Sequence, residues 1–100
     1  MLTPFGEKPA PTVREMIELE AFWPDRSRRM RVDGELLTHD EVIRNRWGLS
    51  ETRYRQLLFH ALGYRMQECL DVNAEVTYRL LAVAARQKNA RATRTVAGLR

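Results

Sequence analysis

RNRWGLSETRYRQ, residues 44 to 56, is the stretch on which the reading of the fold turns. A glycine, an apolar residue and a serine separate two arginine-bearing segments. Glycine enters the left-handed conformation that ends a helix at little cost. A serine after it accepts a hydrogen bond from the first free amides of the next helix. The stretch therefore reads as a tight corner between two helices. Such a corner is either the turn of a DNA-reading helix-turn-helix or a plain joint in a helical protein.

Working outward, Thr38 and Glu41 have capping-box spacing, in which hydroxyl and carboxylate satisfy exposed amides reciprocally. They start a helix through Val42, Ile43, Arg46 and Trp47 that Gly48 stops. On the other side Ser50 caps a helix over Glu51 to Leu62, with Tyr54, Leu57, Leu58, Ala61 and Leu62 on its apolar face. Thr52, Arg53, Arg55, Gln56 and His60 lie opposite, and Gly63 closes the helix. Residues 64 to 73 read as a connection with a helical turn around Met66 to Leu70. Asn73 then caps a last helix that packs through Val76, Leu80, Leu81, Val83 and Ala84, with the apolar stripe lost from Arg86 onward.

Toward the N-terminus, Thr12 and Glu15 form another capping box. The helix they open has the stripe Val13, Met16, Ile17, Leu19, Ala21, Phe22 and Trp23, places Glu15, Glu18 and Glu20 largely opposite, and ends at Pro24. Between Pro24 and Thr38, Asp33-Gly34 is a two-residue turn signal with Met30, Val32 and Leu36 around it. A solvated loop is the preferred reading there, and a short hairpin the alternative. The expected architecture is an all-α domain of about four helices over residues 12 to 85. A flexible proline-bearing tail at 1 to 11 precedes it, and a basic tail at 86 to 100 follows.

Composition bounds the function. One hundred residues, 44% hydrophobic and 30% charged, suit a single globular domain with one modest core. Cys69 stands alone, so no internal disulfide framework exists. No secretory leader pattern opens the chain and no apolar run has membrane-spanning length, so a cytoplasmic location and no membrane partner are expected. The net charge of +4 is unevenly placed: residues 1 to 25 carry −3 and residues 76 to 100 carry +6. A basic end can approach a polyanion while an acidic end stays away from it.

If the corner is a helix-turn-helix, Ile43, Trp47, Leu49, Tyr54, Leu57 and Leu58 are its internal contacts. Ser50, Thr52, Arg55 and Gln56 then face the major groove, where arginine pairs with guanine and glutamine with adenine. Arg53, the cluster Arg28, Arg29 and Arg31, and Arg86, Lys88, Arg91 and Arg94 are the candidates for phosphate.

Residues 13 to 62, and above all WGLSETRYRQLL, resemble a family of short uncharacterised actinobacterial and actinophage proteins. That family's signature runs close to FGLSxTRYYQLL, and it is read as helix-turn-helix. REMIELEAFW resembles its first helix, and the corner also resembles the sigma-factor-type motif IAxRLGIS. The resemblance implies a bacterial or phage transcription regulator that binds double-stranded DNA. Arg44 departs from the small residue favoured in the broader motif, and the segment Arg26 to Thr38 is longer than the family's. A small reader of this kind usually works as a homodimer, here with the last helix as the seam.

The rival reading is a protein-binding module that docks on transcription machinery, with Phe59, Tyr64 and Met66 as an exposed apolar patch. Enzymatic chemistry finds no support in the sequence: no glycine-rich phosphate loop occurs, and Cys69 has no base placed for it. His39, His60 and Cys69 lack any paired zinc spacing, so neither a metal nor a cofactor is expected. Asp40 and Glu41 suit a helix N-terminus without catalysis, and Trp23 and Trp47 are expected in the core.

Overall fold

The computed structural model describes the backbone of residues 8 to 98 and side chains through Gln87. The chain runs as α1 (Val13–Phe22), β1 (Met30–Val32), β2 (Glu35–Leu37), α2 (His39–Trp47), α3 (Glu51–Tyr64), α4 (Met66–Val72) and α5 (Ala74–Gly98). It is mostly helical with one two-stranded sheet, rather than all-α in four helices.

Local signals account for most boundaries. Both capping boxes form: Thr12 Oγ1 accepts from Glu15 N at 3.1 Å, Thr38 Oγ1 accepts from Glu41 N at 3.2 Å, and each glutamate accepts in return from its threonine's amide. Gly48 ends α2 at φ 65°, a left-handed position that side chains with a Cβ resist. Ser50 Oγ then accepts from Arg53 N at 3.1 Å to open α3. Asn73 Oδ1 caps α5 through Val76 N at 3.0 Å.

Four expectations are corrected. The segment after α1 is a hairpin, with Met30 opposite Leu37, Arg31 opposite Leu36 and Val32 opposite Glu35. Asp33 and Gly34 both take positive φ, 49° and 84°, which is the two-residue turn whose twist matches paired strands. Met30, Val32 and Leu37 pack on the core, whereas Leu36, counted in the apolar set from sequence, is exposed. Next, Gly63 does not stop α3, which continues to Tyr64, while the helical turn expected around Met66 to Leu70 is present as the helix α4. Third, α5 passes through Arg86 and runs to Gly98, so the backbone of the basic segment continues a helix instead of starting a tail. The side chains of Lys88, Arg91 and Arg94 fall outside the described ones, as does the backbone of most of the N-terminal tail at 1 to 7.

The last correction concerns α1. Met16, Ile17, Leu19 and Trp23 are buried as expected, but Ala21 and Phe22 are exposed and Glu20, placed on the solvated side from sequence, is 2% exposed. The core into which it points contains Val42, Ile43 and Trp47 from α2, Tyr54, Leu58, Ala61 and Leu62 from α3, Cys69 from α4, and Val76 and Leu80 from α5. Trp47 stacks on Tyr54 with centroids 6.0 Å apart and planes 12° from parallel, which joins α2 to α3 across their corner. Trp23 is 1% exposed and donates from its indole N–H to the Arg28 carbonyl at 2.8 Å, tying the loop before β1 to the end of α1. No described helix is long and apolar enough to cross a membrane.

Candidate functional site

Two polar regions meet at the first turn of α3. One is its outer face. A helix that buries Tyr54 and Leu58 turns its opposite side outward, and Thr52, Arg53, Arg55 and Gln56 are all exposed. Ser50, exposed as well, has its hydroxyl oxygen committed to the cap. Arg53 Nη1 donates to Gln56 Oε1 at 3.3 Å, and Arg55 lies 3.5 Å from Glu51 Oε1. Arg44 and Arg46 of α2 are exposed too, and the Lys8 ammonium donates to the Asn45 carbonyl, so the N-terminal segment reaches this end of α2.

The other sequence-derived candidates do not form a single patch with that face. Arg28 lies near Asp25 at 3.7 Å and Arg29 near Glu41 at 3.5 Å, while Arg31 donates to the Gly34 carbonyl at 3.0 Å and so braces the hairpin turn. Arg86 is brought to α3: with Arg55, Arg26 and Arg79 it lines a cleft of about 370 Å³ whose walls include Trp23 and Phe59. Of the rival's apolar trio, Tyr64 and Met66 are exposed and Phe59 is half-buried against the core. Tyr64 also stacks at a tilt on His60, centroids 4.7 Å apart.

The second region lies beneath that face and was not anticipated. Glu20 is the centre of a buried knot built from α1, the following loop, α2 and α3. Its Oε1 accepts from Arg26 Nη2 at 2.7 Å and Nε at 3.1 Å. Its Oε2 accepts from the Tyr54 hydroxyl at 2.8 Å and contacts His39 Nε2 at 2.9 Å. Arg79 of α5 closes the assembly by donating to the Glu20 carbonyl at 2.9 Å. Aromatic edges fix the imidazole, with Trp23 at 5.6 Å and Tyr54 at 5.5 Å on steep planes. The Arg26 guanidinium also stands 6.0 Å from the Tyr54 centroid.

Electrostatics explain why a carboxylate stays charged there. Burial alone would raise the Glu20 carboxyl, but the hydrogen bond with His39, the charge and hydrogen bonds of Arg26, and the Tyr54 hydroxyl outweigh it and hold it below its ordinary 4.5. Burial likewise works against the Arg26 guanidinium, and Glu20 overcomes it and raises the value. The Tyr54 phenol is pushed far up by burial and by the adjacent Glu20 charge, so it remains a neutral donor. Arg26 also donates from Nη1 to Glu51 Oε1 at 3.1 Å, which links the knot to the exposed face. The Glu51 carboxyl is moved up, first by its hydrogen bond with Asp40 and then by burial.

The reason this knot escapes a sequence reading is spacing. Glu20, His39 and Tyr54 are 19 and 34 positions apart from the carboxylate outward, and each alone reads as an ordinary helix residue. The available signal is Glu20 itself, which sits next to Leu19 and within a turn of Met16, Ile17 and Trp23 on the core side of α1. No protein-family model matches the chain, and no curated protein or solved structure matches it either.

Proposed function

We propose that the chain binds duplex DNA with α3 in the major groove, as a bacterial or phage transcription regulator. The observation that carries the reading is the exposed set Thr52, Arg53, Arg55 and Gln56 on one helix face, delivered by the corner Gly48-Leu49-Ser50. Side chains of these types at the start of a groove helix can reach base edges. Arg28, Arg29, Arg31 and the basic α5 supply charge for phosphate, and Arg86 stands in the same cleft as Arg55. A second copy joined through α5 would present two such helices to neighbouring half-sites.

The test is a gel shift on selected and random duplexes across a salt titration. Binding should weaken steeply with salt. Arg55→Ala should cost about 1–3 kcal/mol on a selected site and much less on random DNA, because a base contact carries sequence information. Equal loss on both would make α3 an anchor, and no binding at low salt would remove the DNA reading.

A second reading rests on Tyr64 and Met66, which are 80% and 46% exposed at the joint between α3 and α4. Large apolar groups at the surface beside Arg65 suit a protein-docking patch. No DNA binding at low salt, together with capture by transcription machinery that Tyr64→Ala abolishes, would favour this reading over the first.

A further inference from the structure

We propose that His39 Nδ1, Asp40 and Glu51 form a binding site for a divalent transition-metal cation, with zinc the best-suited ion. One ligand atom from each of the three lies within 4.8 Å of the other two. His39 is 3% exposed, and its Nδ1 is the buried side-chain polar atom without a hydrogen-bond partner among the described residues. That nitrogen is 3.8 Å from Glu51 Oε2.

The orientation follows from the knot. Glu20 Oε2 stands 2.9 Å from His39 Nε2, which places the ring proton on Nε2 and leaves the Nδ1 lone pair facing the two carboxylates. A carboxylate behind a histidine in this manner orients and strengthens it as a metal ligand. Arg26 and Arg55 both approach Glu51 through Oε1, at 3.1 and 3.5 Å, so Oε2 is the atom turned toward the imidazole. A lone pair facing carboxylates is electrostatically unfavourable, and a cation between them reverses the sign. One imidazole with two carboxylates is a donor set that zinc accepts, with water completing the coordination.

Ligand atoms around zinc stand about 3 to 3.5 Å apart given bonds of about 2.0–2.2 Å. Glu51 Oε2 needs only a small rotation to reach that separation, and Asp40 is exposed and able to swing. Asp40 and His39 are the first two residues of α2 and Glu51 is the first of α3, so a bound ion would clasp the two helix starts. Sequence spacing hides the site because Glu51 lies across the whole of α2 from its partners.

The test is titration of the chelator-treated chain with Zn²⁺ by calorimetry, and with Co²⁺ followed by visible absorption. One-to-one binding is expected, with a melting temperature that rises with metal concentration. Asp40→Asn and Glu51→Gln should each weaken binding about tenfold or more, and His60→Ala should leave it unchanged. Asp40 is exposed, so its variant stays informative if substitutions at His39 or Glu51 prevent folding. No saturable binding would overturn the proposal. Binding indifferent to Asp40→Asn, or lost in His60→Ala, would overturn it equally by moving the ion elsewhere.

Discussion

The Glu20 knot and the outer face of α3 both use arginine, glutamate and a helix start, yet their side chains stand in opposite environments. In the knot, Glu20 and His39 are 2% and 3% exposed, and every oxygen of the carboxylate is taken by Arg26, Tyr54 or His39. On the face, the Arg53 side chain donates to Gln56 across 3.3 Å and both residues are exposed. A charge withdrawn from water is costly unless its partners are complete, so the knot tolerates little change. An exposed pair is screened and contributes little to folding, which leaves the face available for a ligand. Glu51 stands between the two regimes, held by Arg26 from within and by Arg55 from outside.

Removing the centre of the knot should break this contrast most severely. Glu20→Ala leaves Arg26, His39 and Tyr54 facing a site with no acceptor, and truncating one partner of a buried charged set costs about 3–5 kcal/mol. Urea denaturation should show a large fall in midpoint or no folded baseline. Retention of most of the stability would mean that water replaces the carboxylate and that the knot is peripheral.

Tyr54→Phe is milder, since the ring can keep its stack on Trp47 and what is lost is the hydroxyl, with its 2.8 Å hydrogen bond to Glu20 and its longer 3.4 Å contact to the Met16 carbonyl. Hydrogen bonds to charged groups are worth about 1.5–3 kcal/mol. Paired measurements with Glu20→Gln would show whether the hydroxyl acts through the carboxylate, because neighbours in one network are not additive.

Acid probes the same comparison without mutation. The folded Glu20 carboxyl lies below its ordinary 4.5, so its contribution is complete above that pH and is lost as pH falls through the folded value. Glu51 has the opposite sign: its raised carboxyl favours the folded chain as pH falls toward 4.5 and adds no slope below it. At the alkaline end Tyr54 ionises more readily unfolded than folded, so stability should also decline as pH rises past 10.0. Chemical denaturation across pH should give a loss below 4.5 that is much reduced in Glu20→Gln. A loss of equal steepness in that variant would assign the acid limb to other carboxylates.

Gly48→Ala tests the corner joining the two regions. Nothing lies within 4 Å of the position a Cβ would take, so the penalty is purely conformational at φ 65°. About 1–2 kcal/mol is expected for the left-handed backbone. Thermal melting that is unchanged would show that the corner relaxes to another turn.

The smallest effect on folding belongs to the exposed face. Arg53→Ala should change stability by no more than about 0.5 kcal/mol, while DNA affinity, on the proposed reading, falls similarly on all sequences because the residue is assigned to phosphate. A large stability loss would draw Arg53 into the knot's regime and erase the distinction.

Sequence alone determined the elements whose causes lie within a few residues. Thr12 with Glu15, Thr38 with Glu41, Ser50 after Gly48, and Asn73 before α5 each act through hydrogen bonds or backbone conformations spanning about one helical turn, and all are found in place. The exposed set Thr52, Arg53, Arg55 and Gln56 was legible for the same reason, since helical periodicity fixes which side faces away from Tyr54 and Leu58. Asp33-Gly34 announced its turn, but the pairing of such short strands depends on Met30, Val32 and Leu37 finding a core to cover. Only the tertiary structure decided that Glu20 faces inward, because its burial requires Arg26, His39 and Tyr54 to arrive from three other segments and share the cost of desolvation. The same convergence brings His39 Nδ1 and Asp40 close to Glu51 and puts Arg86 in one cleft with Arg55: such juxtapositions of distant residues are products of packing, and no local pattern encodes them.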